Sequence, residues 1–165
     1  FAQYWASVQA LFGDRISLDE AEAAYQAIQI PSRATKGSTG YDFKAPIGVS
    51  LEAGHEMTMP TGIRVKLEAG WLLGLLPRSG LGRRYRLQLN NTRGVVDGDY
   101  YEADNEGHIL VQLINDGRAE RTVTLQPGDG FVQGIFLPFG VTYTDMADGK
   151  RNGGFGSTNA STPFE

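Results

Sequence analysis

Cysteine is absent from this chain, and histidine is rare, with only two residues. Without a thiol, the sequence excludes a disulfide framework, a thiolate nucleophile and a zinc site built on cysteine. Neither His55 nor His108 has a second histidine at ligand spacing, so a histidine-bound metal is not predicted either. A chain without cysteine suits a reducing compartment, and we expect a cytoplasmic protein.

Clusters of basic residues and long apolar runs are missing as well. Lys and Arg number 15 against 19 Asp and Glu, which gives a net charge of −4. This balance excludes a broad nucleic-acid surface, although a single pocket can still be positive. No apolar run reaches the roughly 18–20 residues that span a bilayer, and the first residues lack the basic segment of a signal peptide. We therefore expect neither a nucleic-acid partner nor a membrane partner.

Glycine is plentiful instead: the 165 residues include 22 Gly, together with 7 Pro. Across residues 30–143 they interrupt short apolar runs, a pattern that predicts many short strands. Residues 1–29 differ, because their apolar positions recur with the period of a helix and Ser17 and Glu20 are spaced as a capping box. The sequence therefore predicts an all-β sandwich or barrel with a helical N-terminal extension and a polar C-terminal arm.

One hairpin is expected within this β region. The segment "HILVQLINDGRAERTVTLQPGD" holds two apolar runs on either side of Asp116 and Gly117. Asp-Gly is a dipeptide typical of tight hairpin turns. The two runs are therefore predicted to pair with each other.

Arg78, Ser79 and Gly80 form a candidate anion site. They follow the apolar run of "LLPRSGLGRR", and a guanidinium, a hydroxyl and backbone N–H groups together suit phosphate oxygens. The same pattern also occurs in ordinary Ser-Gly turns with an exposed arginine. Two more polar residues stand in apolar surroundings, Asp42 in "GSTGYDF" and Gln133 in "GDGFVQGIF". None of these segments is specific alone.

Asp97 is the candidate general base. It follows Val95 and Val96 in "RGVVDGDY", so its carboxylate is expected where a strand meets a turn. A carboxylate held in this way can activate water, whereas Asp-Gly is also an ordinary turn dipeptide. Further acids follow, of which Asp99 is the nearest, but their spacing does not match a calcium-binding loop.

Five segments, taken in order, resemble the five motifs of the trimeric dUTPase family. They are "GSTGYDF", "PRSGLG", "NNTRGVVDGDY", "GDGFVQ" and "RNGGFGSTN", and the resemblance covers about residues 28–159. It implies a distorted jelly-roll-like β-barrel of the β-clip kind, assembled as a homotrimer with three shared active sites. It also implies Mg²⁺-dependent hydrolysis of dUTP to dUMP and pyrophosphate, which limits uracil in DNA and supplies dUMP for dTMP synthesis. The helical start and the long segment after Asp97 are typical of a bacterial or phage branch.

The resemblance implies a role for each matching residue. Asp97 would activate the water that attacks the α-phosphorus, and Tyr100 would lie against the deoxyribose, where it leaves no room for a 2′-hydroxyl. The uracil contacts would be Asn91 and the backbone of Val95, Val96 and Leu110. The phosphate contacts would be Arg78, Ser79, Gly80 and Gln133, and Asp42 would reach the metal through water.

The C-terminal arm would close over the active site of a neighbouring subunit. Phe155 would stack on uracil, while Arg151, Gly156, Ser157 and Thr158 would bind the terminal phosphates. The expected division of the chain is therefore a helical extension over 1–29, a β-barrel over 30–148 and the arm over 149–165.

The chain departs from the common family motifs at two places. Gly130 stands where motif four usually carries an arginine. Lys150 stands where motif five usually carries an arginine, and Arg151 follows it. Whether Lys150 or Arg151 binds phosphate stays open.

Two other functions are alternatives. dCTP deaminase shares the fold implied here, but it uses a catalytic glutamate where this chain has Gln112, whose amide cannot transfer a proton. A non-catalytic nucleotide-sensing or regulatory module is the second alternative, and the sequence leaves a regulatory protein partner open. The N-terminal helices could form a partner surface or only decorate the trimer.

Overall fold

The N-terminal extension is a pair of short helices. In the computed structural model, which describes residues 1–118 and 120–149, α1 spans Ala2–Phe12 and α2 spans Leu18–Gln26. The predicted capping box is confirmed, because the Glu20 N–H donates to Ser17 Oγ at 3.3 Å and the Ser17 N–H donates to Glu20 Oε2 at 2.8 Å. The pair buries a small apolar cluster of its own, formed by Tyr4, Val8 and Ala21.

The rest of the described chain is mainly β-structure. Its strands are β1 (Tyr41–Lys44), β2 (Val49–Leu51), β3 (Glu56–Pro60), β4 (Trp71–Pro77), β5 (Leu87–Leu89), β6 (Gly94–Val96), β7 (Leu110–Asn115), β8 (Val123–Leu125) and β9 (Gly130–Pro138). They form a four-stranded sheet in the order β1-β9-β4-β6, a three-stranded sheet in the order β3-β7-β5, and the pair β2-β8. Every strand pairing is antiparallel, which confirms the predicted all-β class.

The main core lies between these sheets. Alternate residues of β7, namely Val111, Leu113 and Asn115, are buried, as expected for a strand with one face on the core. Phe131 and Val132 of β9 are fully buried and join the same core. Among residues 1–118 and 120–149, no helix combines the length and the apolar character needed to cross a membrane.

The predicted hairpin around Asp116 and Gly117 is wrong. β7 pairs with β3 and β5, whereas β8 pairs with β2 in a different sheet. The connection is fixed by long-range bonds instead: the buried Asn115 amide donates to Leu51 O at 3.1 Å and to Arg121 O at 2.7 Å. The Asp-Gly turn therefore joins two sheets rather than two paired strands.

A short helix was also missed within the β region. α3 spans Ser79–Tyr85 and follows β4 directly, with Arg78 as its N-cap residue. The glycines of "RSGLGRR" disfavour a helix, so local propensity did not indicate it. The helix carries the candidate anion-binding residues Ser79 and Gly80 at its first turn.

Candidate active site

The candidate phosphate-binding residues converge at one end of the four-stranded sheet. Asp42 on β1 lies opposite Gln133 on β9, and Gln133 lies opposite Leu76 on β4. Residues directly opposite each other in antiparallel strands present their side chains on the same face. Arg78 follows two residues after Leu76, and its Nε lies 3.4 Å from Asp42 Oδ1.

These side chains line a cleft, which we call the arginine cleft. Its volume is roughly 390 Å³, and its lining residues are Ala34, Ser38, Thr39, Gly40, Asp42, Leu76, Arg78, Ser79, Gln133 and Ile135. Arg78 keeps 42% of its side chain exposed, so its guanidinium can meet a ligand. The predicted phosphate contacts Arg78, Ser79 and Gln133 are thus brought together, with Gly80 next to Ser79 on α3.

Two glycines make the arrangement of the arginine cleft sterically feasible. A Cβ on Gly130 would collide with Nη1 of Arg78, and a Cβ on Gly40 would collide with Oε1 of Gln133. Arg78 also donates from Nη1 to the Gly130 carbonyl at 3.2 Å. Gly130, the departure from the usual arginine of motif four, therefore leaves the space in which Arg78 lies.

Asp97 lies at the other end of the same sheet. Val96 on β6 pairs with Leu73 on β4, so Asp97 continues to the level of Leu72. It precedes a 3₁₀ turn over Gly98–Glu102 as its N-cap residue. It also lines a second cleft of roughly 540 Å³, the aspartate cleft, whose lining residues are Leu67, Glu68, Ala69, Gly70, Trp71, Asp97, Gly98, Asp99 and Phe139.

The two clefts of one chain are far apart. Arg78 lies six residues beyond Leu72 along the β4 direction, and a strand rises about 3.3 Å per residue, so the separation is about 20 Å. A reacting water must come within roughly 3–3.5 Å of the phosphorus that it attacks. Asp97 of one chain therefore does not reach a phosphate bound at Arg78 of the same chain.

Tyr100 belongs to the segment that carries Asp97. Its ring is buried in the main core, and its hydroxyl donates to the His108 carbonyl at 2.8 Å. Asn105 Nδ2 donates to the same hydroxyl at 2.7 Å, and the Tyr100 N–H donates to Asp97 O at 3.2 Å. Tyr100 is thus held firmly beside Asp97, and its contact with a deoxyribose stays a prediction.

The predicted uracil contacts surround the turn between β5 and β6. Asn90 N donates to Gln112 O at 3.0 Å, which places Asn91 beside the start of β7, where Leu110 is the first residue. Val95 is exposed on β6 and Val96 is buried. The strands β5, β6 and β7 therefore bring the four predicted uracil contacts to one region. Their binding of uracil stays a prediction.

Two residues around Asp97 and Tyr100 were not predicted from the sequence, namely Arg64 and His108. Arg64 stacks on Tyr101, with its Cζ 3.6 Å from the ring centroid, and its Nη2 donates to Tyr101 O at 2.8 Å. Burial lowers the pKa of His108 to about 4, so this histidine is neutral near pH 7. The contacts of both residues join segments remote in sequence, and no local pattern could have indicated them.

The C-terminal arm residues that are predicted to bind substrate lie outside the described residues. They are Lys150, Arg151, Phe155, Gly156, Ser157 and Thr158, and their roles stay predictions.

Comparison with known proteins gives consistent results. A family model for dUTPase matches residues 26–159. The deoxyuridine 5'-triphosphate nucleotidohydrolase of Lactococcus lactis is 42% identical over 136 residues, which cover 81% of this chain and 89% of that protein. The protein of the same name from Pectobacterium carotovorum is 32% identical over 144 residues, which cover 82% and 90%.

Solved structures of similar fold include bacterial and phage proteins. The dUTPase of Streptococcus mutans is 35% identical, with a TM-score of 0.63 over 80% of this chain and 95% of that one. A mutant dUTPase from phage phi11 of S. aureus, whose structure describes the coordination of a structural Mg(II) ion, has a TM-score of 0.62 at 19% identity, over 75% and 92%. The predicted dUTPase-like, jelly-roll-like fold class is therefore confirmed.

Proposed function

Since this chain belongs to the dUTPase family and cleaves dUTP to dUMP and pyrophosphate, we propose that its arginine cleft binds the triphosphate and that Asp97 is the general base. The observation that carries the proposal is the placement of Arg78, Asp42 and Gln133 around one cleft at the end of β4. A guanidinium and an amide donor at one cleft suit the oxygens of a polyphosphate.

The separation of the two clefts supports a site shared between subunits. Because Asp97 lies about 20 Å from Arg78 along β4, a second chain has to supply the carboxylate. A ring of three copies with head-to-tail contacts would create three equal sites. The apolar side chains of Trp71 and Phe139, 42% and 49% exposed beside Asp97, suit contact with a neighbouring chain.

In the reaction, Asp97 accepts a proton from water as the water oxygen bonds to the α-phosphorus. The bond from that phosphorus to the bridging oxygen breaks, and pyrophosphate leaves with the electron pair. Arg78 and Gln133 hold the phosphates, and positioning of this kind supplies most of the catalysis in phosphoryl transfer. The arm residues Arg151, Phe155 and Ser157 would complete the enclosure and exclude water.

The described residues fit a Mg²⁺ ion that the substrate brings with it. Among the residues described, no three acidic or histidine side chains come together as a metal site. Mg²⁺ commonly keeps several waters and uses one or two carboxylates together with substrate phosphates. Asp42, 21% exposed in the arginine cleft, is such a carboxylate. When bound, Mg²⁺ neutralises phosphate charge and orients the triphosphate.

Specificity for dUTP is assigned to the region around β6. Asn91 and the backbone of Val95, Val96 and Leu110 would bind uracil, and a slot of hydrogen-bonding groups rejects a wrong base because those groups would stay unpaired. Tyr100 would exclude the 2′-hydroxyl of UTP. We assign the enzyme to the cytoplasm, in keeping with a chain that contains no cysteine.

A panel of dUTP, dCTP, dTTP and UTP with Mg²⁺ tests this function, with pyrophosphate and ammonia measured separately. We expect pyrophosphate from dUTP alone and no ammonia from any nucleotide. Gln112 on β7, at the position of the deaminase glutamate, has no acid to transfer a proton. Ammonia from dCTP would favour the deaminase instead, and binding of nucleotides without turnover would favour a regulatory module.

A further inference from the structure

The N-terminal helix pair contacts the catalytic region through one buried histidine. Almost all of the pair lies before the family match, which starts at residue 26. Ser7 on α1 nevertheless lies 3.2 Å from Nδ1 of His108, measured from its Oγ. The other ring nitrogen, Nε2, accepts a hydrogen bond from the Gly62 N–H at 2.9 Å.

These two contacts fix the tautomer of His108. Because Nε2 is an acceptor, the proton of the neutral ring is on Nδ1, where it can be donated to Ser7 Oγ. The Ser7 hydroxyl in turn donates to Gln3 O at 2.9 Å, inside the same helix. The chain of donors therefore runs from His108 into α1 with each group satisfied.

The backbone of His108 holds Tyr100. The His108 carbonyl accepts from the Tyr100 hydroxyl at 2.8 Å and from Asn105 Nδ2 at 3.1 Å. All of these groups are buried or half-buried, where a lost hydrogen bond is costly. His108 thus contacts the helix pair through its ring and Tyr100 through its backbone carbonyl.

The turn that joins Tyr100 to His108 is tightly packed. Gly107 has φ +71, and a Cβ there would overlap the backbone of Tyr100 and Tyr101. The turn therefore packs directly on the main chain that carries the Tyr100 ring. A displacement of His108 has to move Tyr100 as well, because tightly packed groups transmit displacements.

We propose that Ser7 and His108 are positioning residues through which the N-terminal helix pair sets the place of Tyr100, and with it the preference for dUTP over UTP. This inference rests on the proposed contact between Tyr100 and the sugar. It gives the helical extension a role in the reaction that the five family motifs do not assign.

The test measures kcat/KM for dUTP and for UTP in full-length variants, together with Tm. Ser7→Ala removes the hydroxyl but keeps a good helix former, and we expect the dUTP preference to fall about 3- to 10-fold, the usual range for one buried hydrogen bond. His108→Leu should lower the preference about tenfold or more, since small misplacements in a site are costly.

Tyr4→Phe is the matched control on the same helix. The buried Tyr4 hydroxyl has no hydrogen-bond partner among the described residues, although its ring packs near His108 with centroids 6.1 Å apart. Removal of this hydroxyl should leave the dUTP preference unchanged, and Tm should stay the same or rise, because a buried polar group without a partner costs stability. If Tyr4→Phe lowers the preference as much as Ser7→Ala, the effect is general to the helix packing, and the assignment to Ser7 and His108 is wrong.

A double-mutant cycle separates positioning from general loosening of the fold. In a Tyr100→Phe background the hydroxyl that binds His108 O is gone, so Ser7→Ala should have little further effect on the preference. Full additivity of the two changes would overturn the proposal. This cycle also decides the case in which His108→Leu does not fold.

Tyr100→Ala distinguishes the inference from the function on which it rests. If Tyr100→Ala abolishes the preference for dUTP while Ser7→Ala and His108→Leu retain it, the inference alone is wrong. If Tyr100→Ala also retains the preference, the proposed sugar contact fails, and the inference fails with it.

Discussion

Arg78 is the residue on which the proposed phosphate site depends most. Its guanidinium lies between Asp42 Oδ1, at 3.4 Å, and the Gly130 carbonyl, at 3.2 Å. The pair with Asp42 is partly exposed and contributes little stability. Its value lies in holding the guanidinium in one orientation, which preorganises the cleft for an anion.

Gly130→Ala tests the steric part of this arrangement. The new methyl group would collide with Arg78 Nη1, so the guanidinium would have to shift from its position beside Asp42 and the Gly130 carbonyl. We expect KM for dUTP to rise about tenfold, as for the loss of one charge-assisted hydrogen bond. Gly48→Ala is the control, because its Cβ would meet Pro127 Cδ at 3.5 Å and Leu125 O at 3.6 Å, both ordinary van der Waals contacts. Equal kinetics in both variants would contradict the account.

Asp97→Asn tests the general base. The amide keeps the shape of the side chain but cannot accept the proton, so kcat should fall about 10²- to 10⁴-fold. Calorimetry in the presence of Mg²⁺ should show dUTP binding close to that of the unmodified enzyme. Asp99→Asn, two residues further on, should have a much smaller effect. A near-normal kcat in Asp97→Asn would move the base elsewhere, with Asp99 as the first candidate.

At the scale of secondary-structure elements, the buried histidine that contacts the N-terminal helix pair makes the stability of the protein depend on pH. Burial lowers the pKa of His108 to about 4 in the folded protein, against an ordinary value of 6.5. The unfolded chain therefore binds a proton as the pH falls below 6.5, while the folded chain does not. Above pH 6.5 the His108 ring is neutral in both the folded and the unfolded chain, so it does not change the free energy of unfolding. Between pH 6.5 and about 4 the free energy of unfolding falls as the pH is lowered.

Urea unfolding at several pH values between 7 and 4 measures this loss. The full shift corresponds to at most about 3 kcal/mol at the acid end of the window. His108→Gln, which does not titrate, should be less stable at pH 7 but should show a flatter pH dependence. If the two proteins lose stability in parallel, His108 is not the group responsible.

The elements also show which features local sequence can predict. The capping box of α2 was predictable because both partners lie within one turn of chain. The pairing of β7 was not, because Asp116 and Gly117 specify only a turn, whereas the partner strands are chosen by burial over long range. The helix α3 was not predictable, because its glycines disfavour a helix.

The candidate site was predictable to a similar extent. Motif resemblance identified Asp42, Arg78 and Gln133, and the structure brings them together. It did not show that Gly130 lies against Arg78, because this contact joins residues that are remote in sequence. The contacts of His108 with the helix pair could not be predicted either, because Ser7 and Gly62 lie far from it along the chain.

At the scale of the whole molecule, the proposed active site combines residues of different chains. β4 places Arg78 and Asp97 at opposite ends of one sheet, about 20 Å apart by strand geometry. A monomer would then hold a phosphate cleft without a base and a base without a phosphate cleft. Only the assembly would contain a complete site.

Mixing of an Arg78→Ala variant with an Asp97→Asn variant tests whether the site is shared between chains. Arg78→Ala and Asp97→Asn chains are refolded together, and native mass spectrometry confirms that mixed trimers form. With equal amounts, about one quarter of the sites should combine an intact Arg78 with an intact Asp97 from different chains, and dUTP hydrolysis should return to about that fraction of the unmodified activity. Asp97→Asn mixed with Asp97→Ala should restore nothing. If the first mixture also stays inactive although mixed trimers are present, Arg78 and Asp97 act within one chain, and the account is contradicted.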